Sequence, residues 1–323
     1  MGLPFQEGLN KVTGKHGEHN EQEPLTFEAM NTSFYITVQG CRVPNWQDFI
    51  LGWIKYVEHE WSRFQSDNVL AQINNLEIGE IAEVSPPLFD LLSRAEEYRQ
   101  KSNGFFSPYL LPLMEYHGYS HSFPFQSCET KTQEMPAVFS DAASPFHFDE
   151  KTGMIERLAE GQLDLGGIAK GYAVEAAANW LKSNGKAAAG IVDGGGDMTV
   201  WSNNQKEWKI SVAHPYRTDL DIAQFRIKNG AIATSNVVYR SWLQGNEQKH
   251  HLLNGRTGLP VNSNLIQATV ITENCVDAEV MAKLCFMVNK EELDPLLNSI
   301  NPSHTLLLVT KDGKIIHHGG EKH

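Results

Sequence analysis

Residues 164–181, DLGGIAKGYAVEAAANWL, bring two adjacent glycines, a lysine and a third glycine to the start of a helical pattern. Such a turn can bind an anion. Gly166 and Gly167 let the backbone approach a ligand closely. The first N–H groups of the following helix, and the positive end of its dipole, point to the same place. Lys170 adds a charge. The same residues also suit a tight strand-to-helix turn in a core, with Leu163 and Leu165 on the strand, and both readings stay open at this level. Two nucleotide patterns are excluded. A P-loop requires GxxxxGK[ST], whereas Lys170 here precedes the last glycine. A dinucleotide fingerprint requires GxGxxG, whereas the spacing here is G-G-x-x-x-G.

Other reactive side chains also have structural readings. Asp277, in CVDAEVM, can cap a helix. His251, in HHLLNGRTG, can be a strand histidine or a base near neutral pH, with His250 as its competitor. Phe105 and Phe106 fit a core as well as a ligand wall. Thr234 and Ser235 fit a strand end or a pocket turn. Gly194–Gly196 with Asp197 fit a bulged strand turn or a close backbone approach. His16 and His19 lie in a polar tail, where a metal pair competes with simple disorder. Cys41, Cys128, Cys275 and Cys285 show no CxxC spacing, so buried thiols are expected rather than disulfides or zinc.

The elements around these residues mix two periods. Phe34, Ile36 and Val38 alternate as in a half-buried strand. Apolar residues from Trp46 to Phe64 recur at helical spacing. A helix is expected over about 88–102, with Ser85 as N-cap and two prolines opening it. Residues 169–183 form another helix, and 276–287 a third. MIERLAEGQLDLGG reads as two short strands around a turn. Strands dominate after residue 187. The chain ends in a hairpin with Asp312-Gly313 as its turn. Residues 120–150 read as an insertion or loop. Without strict β-α alternation the class is α+β, mixed sheets with flanking helices. Residues 1–24 read as a flexible arm and 25–323 as one domain.

The 323 residues carry 39 acidic and 27 basic side chains, a net charge of −12. Phosphate binding needs a basic surface, so free nucleic acid is excluded as the main partner. No apolar run reaches the roughly 18 residues of a membrane span. The first 24 residues lack the apolar core of a signal peptide. A cytoplasmic location is therefore expected. Oligomeric state leaves no mark in the sequence.

DLGGIAKGYAVE resembles the signature of the ApbE family of FAD:protein FMN transferases, and other blocks follow in the family's order. MNTSFYITV resembles its opening strand, EWSRFQSDNVLAQINN its Ser/Asn-bearing helix, and SNGFFSPYLLPL its T-G-G-x-F-D-P segment. GGGDM, AIATS, HHLLNGRTGLPV and VDAEVMAKLCFMV resemble the later blocks. The resemblance spans about residues 28–315. It implies a T-fold-like architecture with FAD in a cleft between two subdomains. It also implies Mg²⁺, and a target flavoprotein whose threonine, in a D-[GS]-x-T motif, receives FMN through a phosphoester bond as AMP leaves.

The same resemblance implies site residues. His251 is the base that takes the threonine proton. Met30, Gly104, Phe105, Phe106, Asp164, Gly166, Lys170, Tyr172, Thr234 and Asn254 contact the cofactor. The carbonyl of Ala169 and the side chain of Asp277 hold the metal with a threonine four residues further on. That position is Met281 here, a soft thioether and a poor ligand for a hard cation; water or Glu279 is the candidate replacement. Asn254 stands where the family has an acidic residue, and Ser107 where it has Asp. These departures keep two alternatives: an FAD-binding protein of this fold with little transfer activity, and a slow Mg²⁺-dependent FAD pyrophosphatase.

Overall fold

The structure is a computed structural model that describes residues 10–12, 23–129, 134–139, 143–203 and 206–319. His16 and His19 lie outside the described residues, as do parts of the 120–150 segment.

Residues after 187 build most of an eight-stranded sheet in which every neighbouring pair is antiparallel. From one edge its strands are Ile315–His318, Thr305–Thr310, Leu265–Thr272, Gly230–Asn236, Met198–Trp201, Ala189–Gly194, Thr32–Gln39 and Leu25–Ala29. Ile191 and Val192 show why the central strands read as continuous apolar runs. Both are fully buried, but they point to opposite faces and join different apolar clusters. One face packs under helices. The other is covered by the strands Trp208–Ala213 and Asp221–Ile227, with Trp208, Ile210 and Val212 in the contact.

Among the described residues there are seven helices: α1 Trp46–Glu60, α2 Val69–Asn74, α3 Pro86–Lys101, α4 Leu111–Tyr116, α5 Ala169–Ser183, α6 Cys275–Leu284 and α7 Lys290–Ile300. Trp46, Ile50, Ile54 and Val57 form the buried stripe of α1. That helix ends at Glu60, short of Phe64. The Asn68 amide explains the stop, because it donates to the carbonyls of His59 and Ser62 at 2.6 and 2.7 Å. Its oxygen caps α2 by accepting from the Ala71 amide. Helix α3 starts after Ser85 as expected, but that hydroxyl pairs with Tyr56 at 2.9 Å instead of capping the helix.

One expectation changes. Met154–Arg157 is a strand, but residues 162–165 before the glycine turn are not. The side chain of Asn74 substitutes for a neighbouring strand, accepting from the Leu163 amide at 2.7 Å and donating to its carbonyl at 3.0 Å. Within the segment read as a flexible arm, Asn10–Val12 pairs with Ile210–Val212. The buried Asn10 side chain donates to the Gly196 carbonyl and accepts from Thr234.

Candidate active site

The glycine turn is built by short-range bonds. Asp164 Oδ1 accepts from the Gly166 amide at 2.8 Å, and the carbonyl of Leu165 accepts from Ile168 and Ala169 as α5 begins. Close approach requires one glycine and favours a second. A Cβ on Gly171 would stand 2.7 Å from Glu279 Oε2 and 3.0 Å from the Cys275 carbonyl. A Cβ on Gly167 would stand 3.3 Å from the Phe106 ring. These two positions let the start of α5 press against α6 and the aromatic wall.

Beside this turn lies a cavity of about 590 Å³, within the size range of sites that hold a large organic ligand. Trp61, Phe106 and Met30 give it apolar walls, and Asp164, Gly166 and Ala169 line it from the turn. Met30 and Asn31 both adopt positive φ, at 51° and 58°, in the two-residue turn between Leu25–Ala29 and Thr32–Gln39. The Met30 amide donates to Glu58 at 2.6 Å, which holds that turn against α1. A smaller cavity of about 80 Å³ adjoins it, lined by Asp197, Thr234 and Glu279. Gly166, Lys170, Arg240, His251 and Lys283 line both cavities.

Three cations therefore meet at the junction. Lys170 is ion-paired with Asp197, whose other oxygen accepts from the Thr234 amide at 3.3 Å. Lys283 is 3.1 Å from Glu279 Oε1, with that carboxylate almost fully buried. Arg240 projects from the segment after Gly230–Asn236. Beside them, His251 places Nδ1 3.4 Å from the carbonyl of Arg240. A carbonyl only accepts, so Nδ1 carries the proton and Nε2 keeps a free lone pair. Burial, and then Arg240, His250 and Lys283, push this imidazole well below its ordinary pKa. His251 is thus neutral at pH 7 and able to accept a proton. Its competitor His250 is lowered too, by burial, and bonds to the carbonyl of Val261 at 3.1 Å.

One more acid and a thiol complete the surroundings. Asp193 bonds to the Gly196 amide at 2.8 Å. Burial raises its carboxyl to about 7, against the pull of the Gly196 amide and Lys170. Cys275 is a buried free thiol held well above its ordinary pKa by burial and by Asp197 and Glu279, so it is no thiolate ligand.

The ApbE family profile matches residues 30–307 of this sequence. The chain belongs to the ApbE family. It is 28% identical over 221 residues to the FAD:protein FMN transferase of Klebsiella pneumoniae (strain 342), covering 65% of this chain and 65% of that relative's length. It is 23% identical over 272 residues to the Treponema pallidum (strain Nichols) FAD:protein FMN transferase, covering 78% and 73%. The solved ApbE protein of Thermotoga maritima superposes with a TM-score of 0.76 at 26% identity, covering 91% of this chain and 96% of that one. The flavin transferase ApbE of Vibrio cholerae has the same fold, with a TM-score of 0.71 at 20% identity over 92% and 97%.

Of the residues that the ApbE resemblance nominates, Met30, Phe106, Asp164, Gly166, Ala169, Lys170 and His251 line the large cavity, and Thr234 lines the small one. The others lie elsewhere. Gly104 takes a φ of 81° in the turn after α3, and Phe105 stacks under the Arg256 guanidinium at 4.3 Å. Phe106 and Ser107 are the part of that segment that reaches the cavity. Tyr172 packs edge-on against Trp61. Asn254 accepts from the Arg256 amide at 2.9 Å and shapes its own turn.

The expected metal ligands do not fit a divalent cation. Both Asp277 oxygens already accept hydrogen bonds: Oδ1 from the Tyr98 hydroxyl, and Oδ2 from Asn274 and Asn301 at 2.7 and 2.8 Å. Met281 is completely buried. Neither residue lines a cavity, which leaves the carbonyl of Ala169 from the expected ligands; Glu279, the candidate replacement, lines the small cavity but is paired with Lys283 and the Gly171 amide. Among the described residues no group of three His, Cys, Asp or Glu side chains is placed to hold a metal ion.

Sequence reasoning overlooked Arg63, Arg240 and Lys283. Arg63 lies 3.6 Å from Asp164 and is sandwiched between the rings of Phe64 and Tyr119, 4.4 Å from each centroid. Its place inside the Ser/Asn-bearing block was the available signal.

Proposed function

We propose that this protein is an FAD:protein FMN transferase acting on a threonine of a target flavoprotein, such as one in a D-[GS]-x-T motif. The observation that carries this reading is the junction itself. A neutral His251 stands beside three cations and a glycine turn, next to an apolar cavity large enough for a flavin. In the proposed step, the threonine oxygen forms a bond to the phosphorus of the FMN half of FAD. The bond from that phosphorus to the bridging oxygen breaks, and the bridging oxygen leaves with AMP. The hydroxyl proton passes to Nε2 of His251. Positioning and charge neutralisation dominate such a transfer. The positive end of the α5 dipole and the junction cations supply them here. No step is routed through Mg²⁺, because the side chains of Asp277 and Met281 line neither cavity.

Residues 25–323 act as one unit in this reading. A cytoplasmic setting fits the four free thiols. Among the described residues no helix is long and apolar enough to cross a membrane.

The test is AMP release from FAD with and without an acceptor peptide carrying the motif. A transferase releases AMP only with the acceptor present. AMP release independent of acceptor supports the pyrophosphatase alternative, and no AMP despite tight FAD binding supports the binding protein.

A further inference from the structure

Building on the transferase reading, we infer that Lys283 is the fixed cation of the FAD diphosphate subsite, a positioning charge that this chain supplies from α6 itself. Lys283 lines both cavities although its side chain is only 11% exposed. Its stem passes over the glycine turn, since a Cβ on Gly167 would stand 3.8 Å from Lys283 Cδ and Cε. The ammonium therefore ends beside the backbone that begins α5.

Glu279 holds that ammonium in place. The ammonium donates to Glu279 Oε1 at 3.1 Å and to the Glu279 carbonyl at 3.3 Å. Glu279 Oε2 is itself anchored, accepting from the Gly171 amide at 2.8 Å. A lysine ammonium has three donors. Two are used by Glu279, and the third has no partner among the described residues. The residue lines both cavities at the junction, where the first turn of α5 also directs its positive end. Lys170, the cation expected from the sequence, is likewise paired with a carboxylate, that of Asp197, and adds a second charge at the junction.

The phase of α6 makes the assignment specific. At 3.6 residues per turn, two positions differ by about 200° around a helix. Asp277 and Met281 therefore share one face, and Glu279 and Lys283 share nearly the opposite one. The first face looks toward Tyr98 and Asn301, the second toward the cavities. Where a cation-binding pair of oxygens was expected, the helix presents a carboxylate–ammonium pair. An ammonium acts on phosphate as a point charge and needs no metal between them.

The test compares FAD with riboflavin, which lacks the phosphates, by flavin fluorescence titration of the full chain in EDTA and in Mg²⁺. For the wild type, the FAD Kd in EDTA stays within about threefold of that in Mg²⁺, and Lys283→Met weakens FAD by about tenfold or more, as expected for one lost charged contact. Riboflavin affinity is unchanged in that variant, and Lys283→Arg keeps most of the FAD affinity. A merely structural role for Lys283 would weaken both flavins together. The inference is overturned if Lys283→Met binds FAD like the wild type, if both flavins weaken equally, or if EDTA abolishes FAD binding by the wild type. The EDTA comparison needs no variant to fold. Preference for FAD over riboflavin without transfer leaves this inference standing and removes the transferase reading. Transfer with unaltered FAD binding in Lys283→Met does the reverse.

Discussion

The amide of Gly171 donates to Glu279 Oε2 at 2.8 Å, and this bond ties the first turn of α5 to the middle of α6. The glycine turn and the Lys283–Glu279 pair are therefore directly bonded to each other. Gly171→Ala tests the coupling. The added methyl would meet Glu279 and the Cys275 carbonyl at 3.0 Å or less, and backbone cannot yield as a side-chain end can. The expected loss is about 1–3 kcal/mol of stability, read by chemical denaturation, with FAD affinity falling alongside it.

His251 gives a pH prediction. Its folded pKa is lowered, so the neutral, proton-accepting form persists below the ordinary midpoint of about 6.5. Activity that needs this form declines only as pH falls through the depressed value. The acidic limb of the transfer rate should lie below pH 6.5, and a limb centred at 6.5 or above argues against His251. His251→Ala should slow transfer by about 10²–10⁴-fold, as loss of a general base does, with FAD still bound.

Asp193 gives a prediction about stability. Its carboxyl is raised from 3.8 to about 7 in the folded protein. Between those values the folded state holds a proton that the unfolded state has lost, so this group's contribution falls as pH rises and levels off above 7. Asp193→Asn removes that decline. Relative to wild type, the variant should gain about 1–2 kcal/mol between pH 5 and pH 7.5 in urea titrations. An advantage that does not change with pH would show that Asp193 does not titrate there.

Asp277 separates a structural role from a metal role. Its oxygens accept from Tyr98, Asn274 and Asn301, so Asp277→Ala leaves these buried donors unpaired and should cost about 1–3 kcal/mol. Calorimetric titration with Mg²⁺ should give the same response in the variant as in wild type. A Mg²⁺ response lost only in the variant would make Asp277 a ligand after all.

What the sequence revealed and what it hid have physical causes. The bounds of α5 were legible because an alanine-rich helical pattern follows a glycine turn, and local signals decide such an element. The class was legible from its mixed periods. The phase of α6 was not. All ten of its residues are buried, so no polar stripe marks the face that meets the cavities. Asp277 and Glu279 look equally plausible until α6 is docked on α5. Lys283 was hidden for the same reason, since a lysine in an apolar helix carries no sign of which side its ammonium reaches. The pairing of Asp197 with Lys170 depends on α5 packing beside Met198–Trp201, a contact set by tertiary packing.

The most direct test of the central claim is the mass of the acceptor. A protein bearing a D-[GS]-x-T motif is incubated with FAD and this chain, then measured intact and after digestion. The account predicts one added FMN on the motif threonine, absent when that threonine is alanine and strongly reduced with His251→Ala. An acceptor of unchanged mass, with FAD bound in the cleft of a folded protein, would contradict it.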